Sequence, residues 1–216
     1  MMNRLKLKVF VFLFVLQAST YLNAAVVVSS SAPDFASAQR IGNLDFSLVF
    51  NGNVLDSGTI PHVQIIQTGR ATSGFDFYRF SHGGGLVHLD VDSTPTTTNF
   101  DTMFGIWDGD GNILMSNDDS FGDPGDIPGV SVGGRYNSNL SYLDLPNGEY
   151  VVGVGRYFSQ FANGGSIFGP EIPIGGTYTL NISSANVPEP TSMATLSLAS
   201  VFLLGRLKRV KKIWAR

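Results

Sequence analysis

Short runs of β-forming residues, separated by glycine-rich turns, occupy residues 26–186, and no long amphipathic helix is recognisable there. Several runs alternate apolar and polar residues, which is typical of strands with one buried face. Strands are predicted at residues 44–50, 63–67, 76–81, 86–91, 102–107, 113–116, 139–143, 149–156 and 176–183, and a helical turn is predicted at residues 35–40. This pattern predicts an all-β domain, either an antiparallel β-sandwich or a jelly roll.

The first 25 residues have the three parts of a secretory signal peptide. Basic residues open the segment, an apolar helix at residues 9–16 is too short for an ordinary membrane span, and small residues follow at Ala24 and Ala25. Cleavage by signal peptidase is therefore expected after Ala24 or Ala25. The alternative is an uncleaved N-terminal anchor.

Residues 187–216 have a different three-part pattern. Pro188-Glu189-Pro190 is rigid and extended, because each proline fixes its own φ and keeps its predecessor out of a helix. Residues 192–205 are predicted to form a short transmembrane helix, and residues 206–216 are rich in arginine and lysine. The basic end predicts a cytoplasmic C-terminus. Both ends of the precursor are then expected on one side of the membrane and the body on the other.

The Pro188-Glu189-Pro190 motif, the short apolar helix and the basic end, in this order, resemble the PEP-CTERM sorting tail of Gram-negative bacteria. The resemblance implies cleavage near the motif by an exosortase-type membrane protease. It also implies delivery from the inner membrane to the cell surface or to an exopolysaccharide matrix. The alternative is a plain C-terminal membrane anchor.

The charged residues are segregated along the chain. All 17 acidic residues lie between Asp34 and Glu189, where only five arginines and no lysine occur, so the body carries a net charge of about −12. Such a body repels nucleic acid and anionic lipid, since both are bound through basic patches. The absence of cysteine excludes thiolate ligands and cysteine nucleophiles. A body of about 160 residues can bury a core without disulfides.

Several motifs occur in a fixed order in the body. An opening segment at residues 32–42 is followed by motifs at residues 75–80, 87–91, 100–102, 105–112, 117–119, 145–151 and 176–180. Together they resemble the pre-peptidase C-terminal (PPC) type of domain over residues 34–184. The resemblance implies a jelly-roll sandwich and a non-catalytic role in binding matrix polymers or assisting secretion. It also implies bound calcium in some members. The chain thus divides into residues 1–25, 26–186 and 187–216.

A candidate cation site lies between residues 108 and 119. Its oxygen-bearing side chains surround flexible glycines and belong to Asp108, Asp110, Asn112, Asp118 and Asp119. Calcium takes about six to eight oxygen ligands, so this spacing predicts a calcium site, to which Asp90, Asp92 or Asp101 would add ligands. The alternative is a plain hairpin turn, because Asp-Gly and Gly-Asn pairs are strong turn formers.

Two further patterns are typical of enzymes but lack the context that enzymes need. Ser131 lies in a Gly-x-Ser-x-Gly pattern, but no helix is predicted after it, as a nucleophile turn requires. His62 and His88 could form a zinc pair, but the expected interpretation is that each is an exposed strand residue. His82 precedes three glycines and is expected in a solvated turn. The sequence therefore predicts no catalytic residue.

Tyr157, Phe158 and Phe161 precede a glycine-rich loop and are hard to bury. Exposed rings of this kind can stack on sugars, but the preferred interpretation is that they cover the loop. The sequence as a whole predicts an exported, non-catalytic surface or matrix protein, structural or adhesive within an exopolysaccharide layer. Two alternatives are a glycan-active enzyme that uses Asp carboxylates, and a calcium-stabilised spacer without a ligand.

Overall fold

The computed structural model describes residues 26–30, 32–52, 54, 56–93, 100–118 and 138–187. These residues form an all-β domain, as predicted. Its strands are β1 (Val26–Val28), β2 (Gln39–Arg40), β3 (His62–Gln67), β4 (Asp76–Ser93), β5 (Thr102–Asp108), β6 (Ile113–Asn117), β7 (Ser138–Arg156), β8 (Gln160–Ala162), β9 (Ser166–Phe168) and β10 (Tyr178–Ser184). The predicted signal helix and C-terminal helix lie outside this part of the chain. No helix within it is long and apolar enough to cross a membrane.

One large sheet has the strand order β1–β3–β10–β4–β7–β5–β6, and β2 pairs with β4 beside this path. Most pairs are antiparallel, but β1 runs parallel to β3 and β2 runs parallel to β4. The prediction of a purely antiparallel sheet is therefore wrong at these two positions. Both exceptions are short strands that join their partners through long connections, which parallel pairing requires.

The strands β4 and β7, of 18 and 19 residues, extend through both halves of the domain. Residues 83–85 of β4 are all glycine, and Gly84 and Gly85 have φ values of +96° and +102°. Glycine adopts these values without steric cost, so β4 bends here while β7 stays paired beside it. The sequence predicted separate strands at residues 76–81 and 86–91, and again at residues 139–143 and 149–156. In the structure each of these pairs is one continuous strand, β4 and β7.

The bend folds the sheet over a single main core. Leu89, Val91 and Leu180 contribute to this core from one half of the sheet, and Phe80 and Ile106 contribute from the other half. Because both halves bury side chains in one cluster, the fold is sandwich-like. The end that carries residues 83–85 is called the corner end. The opposite end, where β4 begins and finishes, is called the distal end.

Two predicted elements before β3 are wrong. Residues 44–50 do not form a strand; a 3-10 helix spans Asn43–Asp45, and Ser47 alone bridges to His62. The Asp45 carboxylate accepts a hydrogen bond from the Gly42 amide at 2.7 Å, which favours a helical turn at this point. The helical turn predicted at residues 35–40 is replaced by a bend that ends in the strand β2.

A smaller core covers the outer face of β5 and β7. It contains Phe77, Trp107, Val151 and Ile167, and the hairpin formed by β8 and β9 packs over it. The Trp107 indole donates a hydrogen bond to the Ala162 carbonyl at 2.8 Å, which ties this hairpin to the sheet. The hairpin was not predicted from the sequence, because its strands are only three residues long.

Candidate functional site

An exposed pair of aromatic rings lies at the distal end, directly after β7. The ring centroids of Tyr157 and Phe158 are 4.0 Å apart, with an interplanar angle of 40°. The Tyr157 amide donates to the Asp101 carbonyl at 2.9 Å, and the Ser159 amide donates to the Arg156 carbonyl at 2.9 Å. These backbone hydrogen bonds hold the turn that presents both rings to solvent.

Phe158 has a strained backbone. Its φ is +71°, in the left-handed region that bulky residues rarely adopt. Such a conformation costs roughly 1–3 kcal/mol and is typically found at functional sites. The Phe158 side chain is 70% exposed, so burial of the ring does little to offset this cost. Stability alone therefore does not account for phenylalanine at this position.

A third aromatic residue, Phe168, lies next to this pair. It is the last residue of β9, it pairs with Gln160, and it is 59% exposed. The backbone passes so close here that a Cβ on Gly169 would lie 2.9 Å from the Phe158 carbonyl oxygen. Tyr157, Phe158 and Phe168 together are called the aromatic tip.

Phe161 has a different role from the aromatic tip. Its ring lies 5.8 Å from the Trp107 ring, centroid to centroid, and it packs against the smaller core. Phe161 is therefore partly buried on the sheet, although the sequence predicted a ring that is hard to bury. Tyr157 and Phe158, by contrast, remain exposed.

The predicted hairpin turn between β5 and β6 is confirmed. One carboxylate oxygen of Asp108 accepts hydrogen bonds from the amides of Asp110 at 3.0 Å and Asn112 at 2.8 Å. The other accepts a hydrogen bond from the Asn112 side chain at 2.8 Å, and this bond lowers the pKa of Asp108. Gly111, at a φ of +86°, closes the turn. The Asp108 carboxylate thus stabilises the turn with both oxygens.

The structure does not bring all the predicted calcium ligands together. Asp118 follows β6, which is extended from Ile113 to Asn117, so about 16 Å of strand separates Asp118 from the turn. Asp119 lies outside the described residues. No group of three or more His, Asp or Glu residues suited to a metal ion occurs in the described part of the chain. Calcium binding stays a prediction.

The additional ligands proposed for calcium also lie away from the turn. Asp101 immediately precedes β5, whereas Asp108 is its last residue, so the two are at opposite ends of that strand. Asp90 and Asp92 are in the distal half of β4. Asp90 is fully buried, and one of its oxygens accepts a hydrogen bond from the Asn181 side chain at 2.9 Å.

The expectation that His62 and His88 are exposed is wrong. Each lies opposite Ser183 in the sheet, one on β3 and the other on β4, and all three residues are buried. The segment before β3 runs beside this position, since Ser47 and His62 exchange two backbone hydrogen bonds of 2.9 Å. Burial lowers the pKa of His62. The ring is therefore neutral at pH 7.

The expectation of a solvated turn at His82 is also wrong. One ring nitrogen forms a hydrogen bond with the Ser184 hydroxyl at 2.7 Å, and the other forms one with the Gly85 carbonyl at 3.1 Å. The side chain is buried inside the corner, and burial lowers its pKa. His82 therefore ties the bend in β4 to the end of β10.

A buried polar network at the distal end was not predicted. Arg70 forms an ion pair with Asp76, and both side chains are almost completely buried. The Asp76 carboxylate also accepts hydrogen bonds from Tyr178 at 2.8 Å and from Gln67 at 3.1 Å. Burial raises the pKa of Tyr178. The sequence feature that could have indicated this network is Asp76, an aspartate that lies between Phe75 and Phe77 at the start of a predicted strand. The network closes the distal end of the main core.

The remaining predicted sites lie outside the described residues. These are the sorting motif Pro188, Glu189 and Pro190, and the serine pattern around Ser131.

No family model matches the chain, and neither does any curated protein. Among solved structures, the chain is similar to the pre-peptidase C-terminal domain of a collagenase from Bacillus anthracis. The two are 13% identical, with a TM-score of 0.33, and the match covers 67% of this chain and 93% of the other.

Proposed function

We propose that this chain is an exported, non-catalytic surface or matrix protein that adheres to polysaccharide through the aromatic tip. The observation that carries the proposal is the strained, solvent-exposed stack of Tyr157 and Phe158. Exposed apolar patches on folded proteins mark interaction sites. Flat aromatic faces with a polar rim suit the apolar faces of sugar rings.

The proposal also includes the route to the surface. Residues 1–25 direct export and are removed by signal peptidase. An exosortase-type protease then cleaves near Pro188-Glu189-Pro190 in a Gram-negative bacterium. The body between these segments is a PPC-like jelly roll in this proposal. The mature protein acts as a structural or adhesive component of an exopolysaccharide layer.

The test measures the binding of the purified mature protein to immobilised neutral polysaccharides. Tyr157→Ala and Phe158→Ala are each expected to weaken binding about tenfold, the equivalent of about 1.4 kcal/mol. The matched control is Phe50→Ala, because Phe50 is 78% exposed but lies at the corner end. Equal binding by all three variants would contradict the proposal.

A second variant separates loss of binding from loss of fold. Phe158→Gly removes the ring and also relieves the positive φ, which glycine adopts freely. It is therefore expected to bind weakly but to unfold at a temperature no lower than the wild-type protein. Reducing ends released from the polysaccharide are measured in the same samples. Their release by the wild-type protein would favour the glycan-active enzyme instead.

A further inference from the structure

The strand register directs both ends of the described chain toward the corner end. β1 runs parallel to β3, with Val26 opposite Gln64 and Val28 opposite Ile66, so Val26 is the residue of β1 that lies nearest to the level of His62. β10 is antiparallel to β3, and Ser183 lies opposite His62 near its end. The chain therefore enters and leaves the domain at the same end, on either side of β3.

The C-terminal exit is fixed by hydrogen bonds to the corner itself. The Gly83 amide donates to the Asn186 carbonyl at 2.5 Å, and the Asn186 side chain donates to the Gly84 carbonyl at 2.5 Å. The Ala185 amide donates to the Leu86 carbonyl at 2.9 Å. Residues 185 and 186 therefore lie across the bend before the chain continues to Val187.

Exposed apolar side chains are present at this same end. Leu44, Leu48 and Phe50 are 77%, 52% and 78% exposed. All three belong to one segment that is attached to the domain at two residues. Ser47 bridges to His62, the first residue of β3. Phe46 packs on the core, with its ring centroid 6.4 Å from that of Phe80. Leucine and phenylalanine are usually buried, so three such residues in one short segment mark a contact surface.

We infer that the corner end faces the membrane in the precursor, with Leu44, Leu48 and Phe50 in contact with the lipid surface. The apolar segment predicted at residues 192–205 begins five residues after Val187, a span of at most about 18 Å for an extended chain. The corner end is therefore held beside the bilayer while that segment is inserted. Apolar side chains of this kind enter the interface between headgroups and acyl chains.

The charges near this surface favour contact through apolar side chains with zwitterionic lipid. Asp45 lies within the segment, Asp56 follows it, and the body has no lysine. Anionic headgroups are therefore repelled. The aromatic tip lies at the opposite end, directed away from the bilayer. The inference concerns the membrane-bound precursor and does not depend on sugar binding by the tip.

The experiment uses the full chain in vesicles of phosphatidylcholine and phosphatidylethanolamine that contain a nitroxide-labelled lipid. The chain has no cysteine, so a single introduced cysteine carries a fluorophore at one known position. Phe50→Cys and Leu44→Cys report on the corner end. Phe168→Cys, another exposed position, is the matched control at the distal end.

Quenching by the nitroxide lipid is expected to be several-fold stronger at residues 44 and 50 than at residue 168. Equal quenching at both ends would overturn the inference. A label at residue 50 that is shielded from iodide in the buffer but not quenched by the nitroxide lipid would also overturn it. In that case another segment of the chain, rather than lipid, covers this surface.

Discussion

Asp76 and Phe158 are both found in environments that are unusual for their side chains. Asp76 is an acidic residue that is completely buried, and Arg70, Tyr178 and Gln67 contact its carboxylate. Phe158 is apolar and mostly exposed, on a backbone that phenylalanine disfavours. The first residue contributes to the fold, whereas the second costs stability, which is why only the second is proposed to contact a ligand.

The buried ion pair gives the sharpest stability prediction. Asp76→Ala leaves the Arg70 guanidinium buried without its counter-charge, and the free energy of unfolding is expected to fall by about 3–5 kcal/mol. The matched control is Glu149→Ala, which removes the ion pairs that Glu149 forms with Arg40 at 2.7 Å and with Arg79 at 3.8 Å. Glu149 is partly exposed, so this variant is expected to cost less than about 1 kcal/mol. Urea unfolding measures both, and similar losses would contradict the prediction.

The buried histidines predict how stability depends on pH. Burial lowers the pKa of His62 and His82 in the folded protein, so between those values and about 6.5 the unfolded chain binds more protons. Their contribution is fully present above about pH 6.5 and is lost as the pH falls toward the folded values. The lowered pKa values of Asp34 and Asp108 act at lower pH, below their usual value of 3.8.

Urea unfolding between pH 7.5 and pH 5 measures this effect. The free energy of unfolding is expected to decrease with acidification, and His82→Gln is expected to reduce the slope. The His82→Gln variant also loses free energy of unfolding at pH 7.5, because its hydrogen bonds to Ser184 and Gly85 are altered. This loss does not depend on pH and does not change the slope. An unchanged slope in the variant would show that His82 does not titrate in this range.

At the scale of elements, a pair of glycines allows the β8–β9 hairpin to pack on the sheet. Gly105 and Gly153 are partners in the register of β5 and β7. A Cβ on Gly153 would lie 2.7 Å from the Trp107 ring, and one on Gly105 would lie 2.5 Å from the Phe161 ring. Both distances are too short for carbon atoms, so the smaller core depends on these two positions.

Gly153→Ala is therefore expected to reduce the free energy of unfolding by roughly 1–3 kcal/mol through overpacking. Gly58→Ala is the matched control, because a Cβ there meets nothing within 4 Å and its φ is not positive. Urea unfolding of both variants makes the comparison. A Gly153→Ala protein as stable as the control would mean that the hairpin shifts at little cost.

Replacing Asp108 tests whether the β5–β6 turn is a plain hairpin turn or a metal site. Asp108→Ala removes the acceptor for three hydrogen bonds and is expected to lower the melting temperature equally in calcium and in excess chelator. Asp108→Asn keeps one carbonyl acceptor and is expected to be milder. A calcium-dependent rise in the wild-type melting temperature that Asp108→Ala abolishes would instead show that the turn binds calcium.

The sequence predicts strands well where β-forming residues run together, as in β3 and β5, and where apolar and polar residues alternate, as in β10. It does not show whether glycines such as residues 83–85 end a strand or bend it, because both cases interrupt the same alternation. The environment of His62 was missed for another reason. Its burial depends on Ser183, a neighbour in the sheet that lies 121 positions later in the chain. Tyr157 and Phe158 were singled out because they lie between a strand and a glycine-rich loop, but Phe168 was missed because the β8–β9 hairpin that carries it was not predicted.

At the scale of the whole domain, the corner surface and the aromatic tip lie at opposite ends. The corner end carries Val26 and Val187, the two ends of the described chain, together with Leu44, Leu48 and Phe50, and the distal end carries the aromatic tip. A protein held to a membrane at one end and to a polymer at the other needs this separation. The acidic surface between them sets which polymers can approach.

That surface leads to the last prediction, which concerns the charge of the polysaccharide. A body with a net charge of about −12 repels polyuronates and other anionic polymers over a Debye length of about 10 Å at 0.1 M salt. Stacking of neutral sugars on Tyr157 and Phe158 involves no net charge. Binding to a neutral glucan is therefore expected to change little between low and high salt, whereas any binding to a polyuronate should strengthen as salt screens the repulsion. Affinity measurements across this range of salt make the comparison. Polyuronate binding that is strongest at low salt would require a basic contact surface, and the five arginines of the body would then be the residues to replace.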